Sequence, residues 1–167
     1  MKIVIVGPGA MGCLFAYYLS KCKEEIWILD KSPVRADRIN QTGISVKGVS
    51  GDSQVEVRVS ADVKEIGLAD LIIICVKSYD TKDAIASAKG LVGDKTNVLT
   101  LQNGIGNIEI IAEVVGNDRV IGGVTNEGST LLDTGSIRHA GRGETVIGRV
   151  DGKIPVEMRF IREIFKK

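Results

Sequence analysis

The residues best suited to chemistry lie near the start of the chain, where Gly7-Pro8-Gly9-Ala10-Met11-Gly12 matches the pattern G-x-G-x-x-G. The motif follows the β-forming run Lys2–Val6 and opens an apolar segment typical of a helix. Gly7 would allow a tight turn, Gly9 would let the backbone approach a pyrophosphate, and Gly12 would let the helix pack closely on the strand. Free N–H groups at the start of such a helix attract phosphate. The motif therefore predicts a pyrophosphate site of a dinucleotide, and the alternative is a strand–turn–helix corner that binds nothing.

An acidic residue follows at the distance that such a site requires. The second β-forming run, Glu25–Leu29, ends at Asp30, which lies 18 positions after Gly12. A carboxylate there suits the ribose 2′-OH of NAD(H) and repels the 2′-phosphate of NADP(H). At a separation of about 4 Å and an effective dielectric constant of about 20, that repulsion is roughly 4 kcal/mol. Lys31 and Arg35 could offset it, so the charges alone leave both cofactors open.

Two further polar residues come after predicted parallel strands. Lys77 follows the apolar run Leu71–Val76, and Asn103 lies in a polar turn after the run Asn97–Leu101. Ligands of open α/β sheets bind outside the carboxyl ends of the strands, so we expect both side chains to approach the glycine motif. The alternatives are a solvated lysine at Lys77 and an ordinary turn residue at Asn103, because Asn-Gly is a strong turn dipeptide.

The composition excludes several classes of protein. The chain has 167 residues and a net charge of +1, which suggests one domain with no basic surface for nucleic acid or anionic membranes. Glycines and Pro8 interrupt the apolar N-terminal stretch, unlike the continuous core of a signal peptide. No apolar run reaches the roughly 20 residues of a membrane span. These features predict a soluble, cytoplasmic protein.

Cysteine and histidine are too few for a metal site. Cys13, Cys22 and Cys75 show no C-x-x-C spacing and are predicted to be reduced thiols. His139 is the single histidine, so a histidine-rich metal centre or a Ser-His-Asp triad has little material. We expect no metal.

Alternating strands and helices predict an α/β fold, a Rossmann-type doubly wound parallel sheet occupying residues 1–150. Helices are predicted over residues 10–21, 34–41, 81–89 and 108–115, with a further strand over 120–125. The segments 44–49 and 55–59 predict a hairpin at the rim. Residues 129–140 and 144–148 predict an antiparallel hairpin appendage on the parallel sheet. A last helix, within residues 151–167, is predicted to start at Pro155 and to carry Val156, Phe160, Ile161 and Ile164 on one face.

Several motifs taken together resemble the ketopantoate reductase (2-dehydropantoate 2-reductase) family. They are the glycine motif, Cys75–Asp80, Leu101–Asn107, the segment from Gly123 to Leu132, and His139–Thr145. The glycine motif is shared by many dehydrogenases, whereas the Val-Lys and Gln-Asn-Gly pair with the later hairpin is more specific. One departure is Asn126-Glu127, where the family often has Thr-His.

The resemblance implies reduction of a small keto acid, ketopantoate, to pantoate with NADPH, in pantothenate and coenzyme A synthesis. By position, the 7–12 loop would hold the pyrophosphate and Lys77 would contact the cofactor. Asn103 would lie between the nicotinamide ribose and the substrate, and Ser129 would contact the cofactor through its backbone. Lys31 falls where the family places a basic residue for the 2′-phosphate, which favours NADP(H), with NAD(H) as the alternative.

Family members also carry a helical second domain that supplies a general-acid lysine and a glutamate near the substrate. Ketone reduction needs a proton donor, and no residue here is a good candidate. We therefore expect this chain alone to bind cofactor without useful turnover. The alternatives are another hydroxy-acid dehydrogenase and a non-catalytic NAD(P)-sensing module. Val156, Phe160 and Ile164, if exposed, would favour a homo-oligomer.

Overall fold

The computed structural model describes residues 1–165, which form two β-sheets with helices packed against them. The strands are β1 (Lys2–Val6), β2 (Glu25–Leu29), β3 (Ile44–Gly48), β4 (Ser53–Val55), β5 (Arg58–Ser60), β6 (Ala69–Ile74), β7 (Val92–Thr100), β8 (Val120–Thr125), β9 (Gly128–Asp133), β10 (Ser136–Gly141) and β11 (Thr145–Arg149). The helices are α1 (Ala10–Leu19), α2 (Pro33–Thr42), α3 (Val63–Ile66), α4 (Thr81–Ser87), α5 (Asn107–Val115) and α6 (Val156–Phe165).

The larger sheet has the strand order β11-β8-β7-β6-β1-β2-β5. Its strands are parallel except β11, which runs antiparallel to β8. Alternate residues of β1 enter two separate apolar cores, Ile3 and Ile5 on one face and Val4 and Val6 on the other. This two-sided burial explains the continuous apolar runs of the sequence. It confirms the predicted doubly wound α/β fold.

Helix α1 lies between the two sheets. Its residues Leu14 and Phe15 share one core with Ile3 and Ile5 of β1 and with Ile44 and other residues of the smaller sheet. A helix covered on both sides must be apolar nearly all round, as the segment Gly12–Tyr17 is. The helix ends at Leu19, two residues before the predicted end. Because α1 begins at Ala10, only a few residues after β1, its N-terminus lies at the carboxyl end of β1.

The smaller sheet, ordered β4-β3-β10-β9, corrects two predictions about the hairpins. The segment 55–59 is not one strand, because β4 pairs with β3 while β5 joins the larger sheet beside β2. The hairpin of β9 and β10 is not attached to the parallel sheet, since β10 pairs in parallel with β3. Pairing of this kind covers one edge of each hairpin, which would be exposed if the two hairpins were isolated. The antiparallel addition to the larger sheet is β11 alone.

The face that α6 buries differs from the prediction. Met158, Ile161 and Ile164 are buried, whereas Val156 and Phe160 are 60% and 62% exposed. Ile164 is therefore not part of an exposed patch, and self-association stays a prediction that rests on Val156 and Phe160. The predicted residues 166–167 of this helix lie outside the described part of the chain.

Candidate functional site

A cleft of about 790 Å³ opens at the carboxyl ends of the central strands of the larger sheet. It lies where the chain order reverses, with β1 between β2 and β6, which is the position of ligands in doubly wound folds. The lining includes every predicted site residue except Gly12, namely Gly7, Pro8, Gly9, Ala10, Met11, Asp30, Lys31, Lys77, Asn103 and Ser129. The fold thus brings residues from five separate segments to one concave surface.

The glycine loop is held by close backbone packing. Gly7 has a φ of +96°, and a Cβ there would lie 2.7 Å from Cγ1 of Val76. A Cβ on Gly12 would lie 2.0 Å from the carbonyl oxygen of Gly7. At that distance the two atoms would clash, so the loop or α1 would have to move. Gly12 therefore stands behind the cleft and fixes how closely α1 approaches the loop.

The N-terminus of α1 is free to bind an anion. Gly9 is its N-cap residue, and no side chain accepts a hydrogen bond from the first-turn N–H groups. The first turn of the helix also contains no acidic residue. A Cβ at Gly9 would approach only the Cys75 carbonyl oxygen, at 4.0 Å. The space in front of the helix is therefore open, and its partial positive charge is uncompensated. This arrangement fits a pyrophosphate.

The Asp30 carboxylate is paired within the protein. Its side chain is 1% exposed, and Arg35 Nε donates to Oδ2 at 2.5 Å while Arg35 Nη2 donates to Oδ1. The Ser32 N–H also donates to Oδ1, at 3.1 Å. The hydrogen bond to Asp30 raises the pKa of Arg35. The sequence did carry a signal for this pair, because Ser32 and Pro33 start α2 and so put Arg35 in its first turn.

Two lysines of the cleft have no carboxylate partner within the described residues. Lys31 and Lys77 are exposed, and neither ammonium group forms an ion pair with a carboxylate of residues 1–165. Strand β6 ends at Ile74 and not at the predicted Val76. Lys77 therefore lies three residues past the end of the strand. Both lysines can therefore meet an anionic ligand.

A buried network, which sequence reasoning missed, links the turns that carry Lys77 and Asn103. Gln102 Nε2 donates to the Val76 carbonyl oxygen at 2.8 Å and to Thr81 Oγ1 at 2.9 Å. Thr81 Oγ1 lies 2.9 Å from Asn107 Oδ1, and Asn107 Nδ2 donates to the Asn103 carbonyl oxygen at 3.3 Å. These bonds fix the two turns relative to each other. The only signal was the clustering of amide and hydroxyl side chains after adjacent strands.

Ser129 supplies a polar group with no partner. Its Oγ is buried and makes no hydrogen bond within the described residues, although Ser129 lines the cleft. Buried polar atoms are nearly always paired, so an exception needs an explanation. The hydroxyl is therefore a candidate for a contact with a ligand in the cleft. Together with the uncapped α1 and the unpaired lysines, this orphan hydroxyl makes the cleft fit a dinucleotide.

Two thiols lie under the loop but are unsuited to chemistry. Burial raises the pKa of Cys13 to about 12 and that of Cys75 also to about 12. The thiolate is the reactive form of cysteine, so neither residue supplies a nucleophile near neutral pH.

A second polar centre, the His139 cluster, lies outside the cleft and consists of Tyr18, Ser50, Glu127 and His139. His139 is 0% exposed. Its Nε2 lies 2.7 Å from Glu127 Oε2 and 2.9 Å from the Gly141 carbonyl oxygen. Both are acceptors, so Nε2 carries a proton. Nδ1 lies 2.6 Å from Ser50 Oγ. Glu127 thus holds His139 in the fold.

Residues 1–165 contain no group of three or more His, Cys, Asp or Glu side chains placed to hold a metal ion. No helix of that part of the chain is long and apolar enough to cross a membrane.

Comparison with known proteins places the chain among reductases. The model of the family "Ketopantoate reductase PanE/ApbA" matches residues 3–152. A 2-dehydropantoate 2-reductase of Halobacterium salinarum is 39% identical over 153 residues, or 91% of this chain and 50% of that protein. One of Pyrococcus horikoshii is 40% identical over 149 residues, or 89% of this chain and 47% of that protein. The chain spans about half the length of the curated relatives it matches.

Solved structures of similar fold superpose closely on this chain. The crystal structure of 2-dehydropantoate 2-reductase from Geobacter metallireducens superposes with a TM-score of 0.91 at 29% identity, covering 99% of this chain and 55% of that one. D-mandelate dehydrogenase, solved with NADH and anilino(oxo)acetate, also gives 0.91, at 23% identity and with 99% and 54% coverage. At that identity the second likeness concerns the fold alone. The extent of the family match and the identities to the relatives show that the chain belongs to the ketopantoate reductase PanE/ApbA family.

Proposed function

We propose that this chain is the cofactor-binding part of a cytoplasmic 2-dehydropantoate 2-reductase, which reduces ketopantoate to pantoate with NADPH for pantothenate and coenzyme A synthesis. Residues 1–150 would form the dinucleotide-binding unit, and the helix within 151–167 would lead to a catalytic domain. The observation that carries the proposal is one cleft that joins an uncapped helix N-terminus to an exposed lysine and an exposed asparagine. The names of the relatives support the substrate.

The cleft residues would bind and orient the cofactor. The Gly7–Gly12 loop and the start of α1 would hold the pyrophosphate, because their N–H groups have no side-chain acceptor. Lys77 would contact the cofactor, and Ser129 would contact it through its backbone. When bound, NADPH would supply the hydride for reduction of the keto group. A sensor would have no use for Lys77 and Asn103 beside a nicotinamide, which favours the enzyme.

Asn103 would also contact the substrate. Its side chain is exposed in the cleft, and the Gln102 network fixes its turn. A carboxamide can donate to a keto oxygen or carboxylate, but it cannot supply the proton that ketone reduction needs. We assign no general acid among the described residues. The isolated chain is therefore expected to bind cofactor and to produce no pantoate at a useful rate.

Calorimetric titration of the chain with NADPH and, separately, NADH tests the proposal. We expect binding of NADPH that is tighter than binding of NADH. As a control, Gly9→Val would fill the space in front of α1 and abolish binding of both without changing the fold measured by circular dichroism. Absence of binding to either dinucleotide would contradict the proposal. Pantoate formation by the isolated chain would contradict the assignment of the proton donor to another domain.

A further inference from the structure

The end of β2 presents a conflict between charge and cofactor. Asp30 stands where an acidic residue usually holds the ribose 2′-OH of NAD(H) and repels a 2′-phosphate. NADPH, the cofactor of the proposed function on which this inference rests, carries that phosphate. A site that binds NADPH must therefore neutralise the negative charge of this carboxylate.

Arg35 provides the cancellation. Its guanidinium binds both oxygens of Asp30, and the Ser32 N–H binds Oδ1 as well. A carboxylate offers about four acceptor positions, so these three donors leave Asp30 little capacity for ribose hydroxyls. The pair as a whole is neutral. Asp30 is buried at 1% exposure, whereas the Arg35 side chain is 40% exposed and lines the cleft.

The local fold holds Arg35 in this position. Ser32 caps α2, and its Oγ accepts a hydrogen bond from the Arg35 N–H at 3.3 Å. The Asp30 N–H in turn donates to the Ser60 carbonyl oxygen at 3.0 Å, which ties the end of β2 to β5. Donor and acceptor are thus both anchored by backbone before any ligand arrives.

We infer that Arg35 determines the cofactor preference of this chain by closing Asp30. With Asp30 held by Arg35, the NAD-type acid no longer repels a 2′-phosphate. The phosphate is then bound by the ammonium group of Lys31 and by the exposed part of the Arg35 guanidinium. Without Arg35, the same carboxylate is free to accept the 2′-OH of NADH.

The test compares Arg35→Gln with Arg38→Gln. Both variants remove one positive charge from α2, but Arg38 pairs with the exposed Asp133 and is not part of the cleft lining. Calorimetry gives the ratio of the NADPH and NADH dissociation constants for each full chain. Arg35→Gln is expected to shift the ratio toward NADH by roughly tenfold to a hundredfold, the range that one hydrogen bond to a charged group contributes. Arg38→Gln is expected to leave it unchanged.

A double variant separates repulsion by Asp30 from simple loss of a positive charge. Asp30→Asn combined with Arg35→Gln removes both charges and avoids an unpaired buried carboxylate, so it also serves if the single variant fails to fold. We expect the double variant to recover part of the NADPH preference through Lys31. An unchanged ratio in Arg35→Gln, or a double variant as biased toward NADH as the single one, would overturn the inference. Failure of the unmodified chain to bind either dinucleotide would instead contradict the proposed function, and the inference with it.

Discussion

The cleft and the His139 cluster contain similar polar residues, but these residues differ in whether they have hydrogen-bond partners within the protein. In the cluster, both ring nitrogens of His139 have partners, at 2.6 Å to Ser50 Oγ and 2.7 Å to Glu127 Oε2. In the cleft, Ser129 Oγ is buried without a partner in the described structure, and the start of α1 has no side-chain cap. Because buried polar groups are normally satisfied within the protein, the difference separates groups that stabilise the fold from groups that await a ligand.

Asp30 shows that the distinction applies to individual residues and not only to regions. It lies in the wall of the cleft, yet its carboxylate is as fully paired as His139. A sequence motif places an acid there and predicts a ribose contact, but its partners decide whether it can make one. Conversely, the serine, histidine and glutamate of the His139 cluster have the residue types of a catalytic triad, but His139 is fully buried and its ring nitrogens are both paired within the protein, which marks the cluster as structural.

The largest effect is expected from Gly12→Ala, which breaks the frame of the cleft. The new Cβ would lie 2.0 Å from the Gly7 carbonyl oxygen, so α1 or the loop must shift. We expect a loss of about 3 kcal/mol in the free energy of unfolding, at the upper end for overpacked sites, and loss of dinucleotide binding. Urea unfolding and calorimetry measure the two. Gly148→Ala is the control, since a Cβ there meets nothing within 4 Å. Equal stability of the two variants would contradict this account of the loop.

A smaller effect, confined to stability, is expected from His139→Ala. The substitution leaves the partly buried Glu127 and Ser50 without their shared partner, the His139 ring. Each unsatisfied buried group costs about 1–3 kcal/mol, so we expect the free energy of unfolding to fall by about 2 kcal/mol. Dinucleotide affinity, measured by calorimetry at a temperature where the variant is folded, should not change. A fall in affinity with little loss of stability would mean that the cluster belongs to the functional site.

Local patterns in the sequence predicted the parts of the fold that local chemistry determines. The buried runs of β1 and β2, the Ser32–Pro33 start of α2 and the glycine loop each follow from a few adjacent residues. The smaller sheet was not predictable in the same way, because the pairing of β10 with β3 joins segments about 90 positions apart. Nothing in either hairpin specifies the other one as its partner.

The site divides along the same line. The residues that line the cleft could be predicted, since carboxyl ends of parallel strands meet at one edge of the sheet. The hydrogen-bond partners could not, because they depend on side-chain directions after packing. Arg35 was predicted only as a nearby charge, Gln102 only as a turn residue and Thr81 only as the start of a helix. The exposed face of α6 was misjudged for a related reason: its apolar residues exceed one stripe, and packing alone selects Met158 over Phe160.

The smallest effect distinguishes the two serines of the comparison. Ser129→Ala removes a hydroxyl that has no partner in the described structure, so stability should change by less than about 0.5 kcal/mol. Ser50→Ala removes a partner of His139 and should cost about 1 kcal/mol. If the Ser129 hydroxyl binds the dinucleotide, Ser129→Ala should weaken affinity about fivefold, which corresponds to one neutral hydrogen bond, whereas Ser50→Ala should leave it unchanged. Unchanged affinity in Ser129→Ala would instead support a contact through the Ser129 backbone, since alanine keeps the same N–H and carbonyl groups.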